Sequence, residues 1–159
     1  MAAHAGHNGV MAERALVVTT PGDRSVLAVE DRAAPEPGPG EVAVRVEAIG
    51  VNFIDVYQRE GVYPMPTPFV LGSEGAGVVV AAGPDVEGVA KGDRVAWAMV
   101  VGTGASTAIV PADKIVPVPD AVSSEDAAAA MLQGMTAHYL VVDTYAVQEG
   151  DWALIHAAA

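Results

Sequence analysis

The sequence predicts a mostly β domain that is followed by helices and by the beginning of an α/β unit. Seventeen glycines and eleven prolines separate short runs of β-branched residues, a pattern typical of many short strands joined by tight turns. Beyond about residue 120 the apolar spacing becomes helical, and a further apolar run follows at 152–155. Strands that are followed by helices and then by a new strand indicate a β-rich domain next to an α/β one.

Seven strands are predicted before residue 120. The clearest covers 41–49, where Val44 and Val46 flank Arg45, as expected of a strand with one buried and one solvated face. The run at 74–82 is almost uniformly apolar, which predicts a central strand. The remaining strands are predicted at 15–20, 25–30, 94–101, 105–110 and 114–118.

Two helices are predicted after these strands. Ser123 supplies an N-cap, acidic residues suit the first turn, and 127–133 favours helix. We expect Gly134 to interrupt this helix and a second helix to cover 135–145. The apolar run at 152–155 predicts another buried strand.

The composition excludes several classes of function. Twenty acidic and eight basic residues give a net charge of −12, and so acidic a surface repels nucleic acids and anionic membranes. The absence of cysteine removes disulfides, thiolate zinc sites and cysteine nucleophiles. Residues 1–10 lack the basic start and apolar core of a secretory signal. We therefore expect a cytoplasmic protein that binds neither nucleic acid nor membrane and has a flexible tail at 1–13.

The segment 49–61 carries the side chains best suited to a binding site. It directly follows a predicted strand and mixes polar with aromatic residues, where a simple turn would need only glycine and asparagine. Asn52, Asp55, Tyr57 and Arg59 are spaced so that they could converge on the edge of a pocket. The alternative interpretation is an asparagine cap followed by one exposed helical turn.

A second segment, 71–78, is rich in glycine. Gly72, Gly75 and Gly77 come close to the dinucleotide-binding pattern G-x-G-x-x-G. That pattern follows a strand and opens a helix, whereas these glycines lead into a predicted strand. We therefore expect them to let the backbone bend and pack closely.

Five segments together carry a family resemblance. They are Gly50-Val-Asn-Phe-Ile-Asp-Val-Tyr57, Gly72-Ser-Glu-Gly-Ala-Gly77, Lys91-Gly-Asp-Arg-Val95, Gln133-Gly-Met-Thr-Ala-His-Tyr-Leu140 and His156-Ala-Ala-Ala159. With these segments the chain resembles the N-terminal, GroES-like catalytic domain of the medium-chain dehydrogenase/reductase superfamily. More narrowly, it resembles the zinc-independent quinone oxidoreductases of the zeta-crystallin-like branch.

The resemblance covers 14–159 and implies a GroES-like, partly open β-barrel over 14–122. Residues 123–159 would form helices and the first strand leading into a missing Rossmann domain. In relatives, a glycine-rich turn after the segment matching 156–159 holds the cofactor pyrophosphate. We therefore expect this chain to bind NADPH weakly or not at all, and to be an incomplete form of the parent enzyme that is weakly active or inactive.

The chemistry implied by the resemblance is hydride transfer from NADPH to a quinone without zinc. It gives Asn52, Tyr57 and Tyr63 catalytic roles at the substrate. The implied cofactor contacts are Phe53, Ile54, Asp55, Val56, Tyr57 and Thr136. Zinc-dependent relatives carry a cysteine near the position of Asn52 and a histidine near Ser73. Glu74 alone cannot hold the ion, so no metal is expected.

Two other functions stay open on the sequence alone. A zinc-free enoyl reductase would use similar hydride chemistry on an activated C=C bond, with a small enone as its substrate. A non-catalytic GroES-like binding module or fragment would need no hydride donor. The resemblance is also compatible with a homodimer in the full-length enzyme.

Overall fold

A computed structural model describes residues 13–155 and contains eight strands in two antiparallel sheets. The strands are β1 (Glu13–Val18), β2 (Leu27–Arg32), β3 (Glu41–Ile49), β4 (Phe69–Val70), β5 (Glu74–Ala82), β6 (Arg94–Ala98), β7 (Thr107–Pro111) and β8 (Ile115–Pro117). The helices are α1 (Phe53–Glu60), α2 (Ser124–Ala129) and α3 (Met135–His138), with π-helical segments at Ala130–Gly134 and Tyr139–Thr144 and single 3₁₀ turns at Arg24–Val26 and Ala112–Lys114. The mostly β fold with additional helices is therefore confirmed.

The two sheets have the strand orders β2-β1-β4 and β7-β3-β5-β6-β8. They do not close into a barrel, although the Leu16 N–H donates to the Gly104 carbonyl across 2.7 Å and links β1 to the loop before β7. The core of the larger sheet is built from side chains of β3, β5, β6 and β7. Its fully buried members include Val42, Val44, Val79, Trp97 and Val110.

Glycines allow β3 and β5 to approach closely at the centre of the larger sheet. A Cβ atom at Gly77 would lie 2.1 Å from the Arg45 carbonyl oxygen, and one at Gly75 would lie 2.8 Å from Cζ2 of Trp97. Any larger residue at either position would have to displace backbone or a buried indole. This supports the interpretation of the glycine-rich segment as a close-packing device.

The predicted strands at 41–49 and 74–82 coincide with β3 and β5. The strand predicted at 94–101 ends earlier, at Ala98, because Met99 turns the chain with a φ of +59°. The two-residue strand β4 was not predicted, since it is defined only by its pairing with β1. Helix α1 was considered only as a single exposed turn, and it has eight residues.

The expected break at Gly134 is wrong. Ser123 caps α2 as predicted, because its Oγ accepts a hydrogen bond from the Asp126 N–H at 3.0 Å. Gly134 itself has helical dihedral angles, φ −66° and ψ −45°, and helical structure continues from Ser124 to Thr144. Glycine lowers helix stability by only about 1 kcal/mol, which favourable neighbours can offset.

The strand predicted at 152–155 is not formed. Trp152, Leu154 and Ile155 are 98%, 83% and 73% exposed, and no strand within 13–155 pairs with them. An apolar run becomes a buried strand only where a neighbouring strand offers its hydrogen-bonding groups. The predicted tail at 1–13, apart from Glu13, and the segment His156–Ala159 lie outside the described residues. No helix among the described residues is long and apolar enough to cross a membrane.

Helix α2 is attached to the larger sheet by alanine packing and by one hydrogen bond. Ala127 and Ala128 pack against Ala76 and Ala96 of β5 and β6. The Ser124 hydroxyl donates to Glu47 Oε2 on β3 at 2.7 Å. This hydrogen bond, helped by the neighbouring guanidinium of Arg45, lowers the pKa of Glu47.

The two glycine environments predict opposite effects of alanine. Gly77→Ala should lower the free energy of unfolding by about 1–3 kcal/mol, because the new methyl group meets a backbone carbonyl of β3. Gly134→Ala should raise it by about 0.5–1 kcal/mol, because the helical backbone is kept and the nearest atom to the new Cβ is 3.5 Å away. Urea unfolding of both variants measures the difference. Equal effects of the same sign would contradict the conclusion that Gly77 is needed for close packing whereas Gly134 is not.

The Glu47 interaction predicts a pH-dependent contribution to stability. Because the pKa of Glu47 is lower in the folded protein, the contribution is complete above the unfolded value of about 4.3 and is lost as the pH falls through the folded value. We expect the wild type to be more stable than Glu47→Gln near neutral pH and the difference to shrink below about pH 4. Urea unfolding at several pH values tests this, with Glu36→Gln as the exposed control, since no described residue hydrogen-bonds the Glu36 side chain. A difference that is constant with pH would rule the explanation out.

Candidate active site

A buried polar network joins the start of α1 to the start of β5. Asp55 is 4% exposed and Ser73 is 2% exposed. One oxygen of Asp55, Oδ1, accepts a hydrogen bond from the Ser73 hydroxyl at 2.7 Å, and the other, Oδ2, accepts one from the Asn52 backbone N–H at 2.8 Å. Asn52 and Asp55 form the capping box of α1, so the network fixes the point at which this helix begins.

Glu74 forms the second half of the network and has no exposed surface. Its Oε1 accepts hydrogen bonds from Asn52 Nδ2 at 2.7 Å and from Gln133 Nε2 at 3.2 Å. Its Oε2 accepts one from the Leu132 backbone N–H at 2.6 Å. A Cβ atom at Gly50 would lie 1.9 Å from Oε1, so the glycine leaves the space that the carboxylate occupies.

Three exposed aromatic rings lie beside this network. Phe53 and Tyr57 are one helical turn apart on α1, and Tyr63 follows the helix; we call these three residues the aromatic row. Their exposed fractions are 72%, 38% and 52%. The Tyr57 and Tyr63 rings meet edge to face with centroids 5.5 Å apart, and the Phe53 and Tyr57 centroids are 6.3 Å apart. Rings left in solvent in this way are available to stack against a flat ligand.

The helical segment after α2 closes on the beginning of α1. Gln133 Nε2 donates to the Val51 carbonyl at 3.3 Å, in addition to its bond with Glu74. Thr136 is exposed and lies three residues further along the same continuous helical segment as Gln133. Val51 is 77% exposed. The rim of the site therefore combines apolar surface, an amide and a hydroxyl.

An apolar cavity of about 190 Å³ lies behind α1. Asp55, Val56 and Arg59 of the helix line it together with Leu16 and Leu71. The Arg59 guanidinium donates from Nε to the Gly22 carbonyl at 3.1 Å. Of the four residues expected at a pocket edge, Asp55 and Arg59 line this cavity, whereas Asn52 and Tyr57 do not.

The residues singled out from the sequence occupy four kinds of position in the site. Asn52 and Asp55 belong to the buried network, Phe53, Tyr57 and Tyr63 form the aromatic row, and Thr136 lies on the exposed rim. Ile54 and Val56 are half-buried on α1. The structure therefore brings the predicted residues to one region, while their contacts with substrate and cofactor stay predictions.

Sequence reasoning missed the central position of Glu74 and the contacts of Gln133. From the sequence alone, Glu74 is only a single possible metal ligand, and Gln133 is only part of a segment that matches the family. A signal was present, because a single glutamate between glycines at the start of an apolar strand has to find buried partners. Within residues 13–155, no three His, Cys, Asp or Glu side chains are grouped so that they could hold a metal ion.

The network predicts that buried and exposed serines contribute differently to stability. Ser73→Ala should lower the free energy of unfolding by about 1–3 kcal/mol, because it leaves the buried Asp55 carboxylate short of a donor. Ser25→Ala is the matched control: its hydroxyl also donates to an aspartate, Asp23, but in an exposed position. Its effect should stay within about 0.5 kcal/mol. Urea unfolding measures both, and similar losses would show that burial of the network does not matter.

Comparisons with known proteins agree with this arrangement. Residues 38–149 match the family model of the alcohol dehydrogenase GroES-like domain. The quinone oxidoreductase of Pseudomonas aeruginosa is 47% identical over 140 residues, which cover 87% of this chain and 43% of the relative. A 2-haloacrylate reductase of a Burkholderia species is 43% identical over 130 residues, 77% of this chain and 39% of the relative. The chain therefore spans less than half the length of these curated relatives.

A solved structure gives the same result in three dimensions. The Escherichia coli quinone oxidoreductase in complex with NADPH superposes with a TM-score of 0.82 at 39% identity, over 86% of this chain and 42% of that one. The resemblance to quinone oxidoreductases of the medium-chain dehydrogenase/reductase superfamily is thereby confirmed. The chain belongs to the family of alcohol dehydrogenase GroES-like domains.

Proposed function

We propose that this chain forms the substrate-side wall of a zinc-free, NADPH-dependent quinone oxidoreductase. The observation that carries the proposal is the aromatic row, three rings held in solvent beside a rigid polar network. A quinone is a flat, electron-poor ring, and offset stacking on such a row would orient its face toward a hydride donor. The relatives that are quinone oxidoreductases support the same class of substrate.

The rim of the site fits the nicotinamide end of NADPH. A nicotinamide is a flat ring with one carboxamide, and the rim offers apolar surface from Val51 and Phe53 next to the amide of Gln133 and the hydroxyl of Thr136. When bound, NADPH supplies the hydride. We assign ring contacts to Phe53, Tyr57 and Thr136 and packing behind them to Ile54 and Val56. Because the Asp55 carboxylate is buried and bonded at both oxygens, Asp55 positions α1.

The residues of the chain then have distinct roles in quinone reduction. The reaction adds one hydride and one proton to the quinone and yields a hydroquinone. Tyr57 and Tyr63 hold the ring, and their hydroxyl groups can donate hydrogen bonds to its oxygens. Asn52 fixes the start of α1, and with it the position of Phe53 and Tyr57. The quinone is already electron-poor, so this chemistry needs no Lewis acid of the kind that alcohol oxidation requires.

Reduction of an activated C=C bond is the second candidate function, because one relative is a 2-haloacrylate reductase. A haloacrylate carries a carboxylate, which needs a cation at the site. Arg59, the basic residue of α1, is already bonded to the Gly22 carbonyl and to Glu60. The net charge of −12 also disfavours an anionic substrate. These observations favour a neutral quinone.

The proposal predicts that the aromatic row binds a quinone. Tyr57→Ala and Tyr63→Ala should each weaken the binding of 1,4-naphthoquinone roughly two- to tenfold, since one aromatic contact is worth about 0.5–1.5 kcal/mol. Tyr145→Ala is the matched control, because Tyr145 is 63% exposed and lies outside the row. Titration followed by NMR chemical shifts measures the affinity and locates the ring.

The same titration separates the two candidate functions. Naphthoquinone binding that depends on Tyr57 and Tyr63, together with no binding of 2-chloroacrylate, would support the quinone reductase. Binding of 2-chloroacrylate at the row, or naphthoquinone binding that Tyr145→Ala weakens as much as Tyr57→Ala, would overturn it.

A further inference from the structure

The buried Glu74 carboxylate determines which end of the Gln133 side-chain amide faces inward. Its oxygens accept hydrogen bonds from Asn52, Gln133 and Leu132, and all three partners are N–H donors. A carboxylate offers only acceptors, so it selects the NH₂ end of a neighbouring amide. The Val51 carbonyl makes the same selection, because it also accepts from Gln133 Nε2.

The orientation of this amide leaves its oxygen for a ligand. The two acceptors occupy Gln133 Nε2, at 3.2 Å from Glu74 and 3.3 Å from Val51. None of the hydrogen bonds among the described residues ends on Gln133 Oε1, and the side chain as a whole is exposed. An oriented carbonyl oxygen at this point is a ready acceptor for an N–H or O–H group.

Gln133 contacts the chain two residues before the aromatic row begins, through the Val51 carbonyl. Val51, which Gln133 contacts, is separated from Phe53 by one residue, and both residues are more than 70% exposed. A flat ring lying on Phe53 would therefore have its edge near Gln133. The hydrogen bond from the Leu132 N–H to Glu74 holds the π-helical segment close to the beginning of α1.

We propose that Gln133 is a specificity-determining residue whose Oε1 accepts a hydrogen bond from a donor group on the edge of the bound ring, and that Glu74 is the positioning residue that turns Oε1 outward. This rests on the proposed function, because it assumes that the ring lies on the aromatic row. Two ligands share the required chemistry. One is the hydroquinone product, which carries O–H groups, and the other is the carboxamide of nicotinamide, which carries N–H groups.

Two pairs of ligands test the inference on the 159-residue chain. 1,4-Dihydroxynaphthalene, kept under argon, is compared with 1,4-dimethoxynaphthalene, and nicotinamide is compared with N,N-dimethylnicotinamide. Within each pair the ring is the same and only the donor is blocked. We expect the donor-bearing member of at least one pair to bind roughly two- to tenfold more tightly, the range of one net hydrogen bond. The pair that shows the preference identifies the source of the donor.

Variants then assign the preference to its residues. Gln133→Met removes the acceptor and should abolish the preference while the blocked ligand binds as before. Glu74→Gln replaces one of the two acceptors that select the NH₂ end of Gln133 and should reduce the preference, although less than Gln133→Met because the Val51 carbonyl remains. Gln148→Met is the matched control, since Gln148 Nε2 likewise donates two hydrogen bonds, in its case to the backbone carbonyls of Ala146 and Val147, outside the network and the aromatic row. Thermal unfolding checks that each variant is folded.

The ratio of affinities within a pair is the decisive result, because a merely structural role would change both members equally. A preference that survives in Gln133→Met overturns the role of Gln133. If the preference for the donor-bearing ligand is lost in Gln133→Met but is unchanged in folded Glu74→Gln, the role of Glu74 is overturned. Equal binding within both pairs overturns the inference while leaving the proposed function intact. If none of the rings binds at Tyr57 and Tyr63, the proposed function fails and the inference fails with it.

Discussion

The buried carboxylate of Glu74 is the constraint on which the arrangement of the site depends. The Glu74 carboxylate has no exposed surface, so both of its oxygens need hydrogen-bond donors. A buried carboxylate without donors would lower the free energy of unfolding by several kcal/mol. Its partners come from two other parts of the chain, Asn52 before α1 and the adjacent residues Leu132 and Gln133 after α2. The start of β5, the start of α1 and the helical segment after α2 are therefore held at fixed mutual distances. Gly50 is part of the same constraint, because any side chain there would occupy the space of the carboxylate.

The sequence predicts well those elements whose pattern is local. The alternation around Arg45 and the apolar run at 74–82 mark β3 and β5 to the residue, because one face of each strand packs into the core wherever its neighbours lie. Ser123 marks the beginning of α2, because a cap needs only the next three residues. Strand β4 and the failed strand at 152–155 depend on a pairing partner, which local patterns do not reveal. Gly134 shows the reverse case, in which helical neighbours override a weak local preference.

In the candidate site, too, the local features could be predicted from the sequence and the long-range contacts could not. The segment at 49–61 could be recognised from its mixture of polar and aromatic residues directly after a strand. The hydrogen bonds that organise this segment could not be recognised from the sequence, because Glu74 is separated from Asn52 by 22 residues and from Gln133 by 59. A glutamate inside a glycine-rich strand indicates that buried donors are needed, and only the fold shows which donors are within reach. The residues that the family resemblance singles out lie in one region of the fold, and the hydrogen bonds of Asn52 and Asp55 show how this region is held together.

The position of α1 follows from polar contacts at both of its ends. Phe53 is largely exposed and Tyr57 partly so, which limits what the packing of these rings contributes to holding the helix in place. At the beginning of the helix Asn52 bonds to Glu74 and Asp55 to Ser73, and near its end Arg59 bonds to the Gly22 carbonyl. Hydrogen bonds are directional, whereas apolar contacts allow sliding. Anchoring of this kind would preorganise the ring surface, and under the proposed function preorganisation reduces the entropy lost when a flat ring binds.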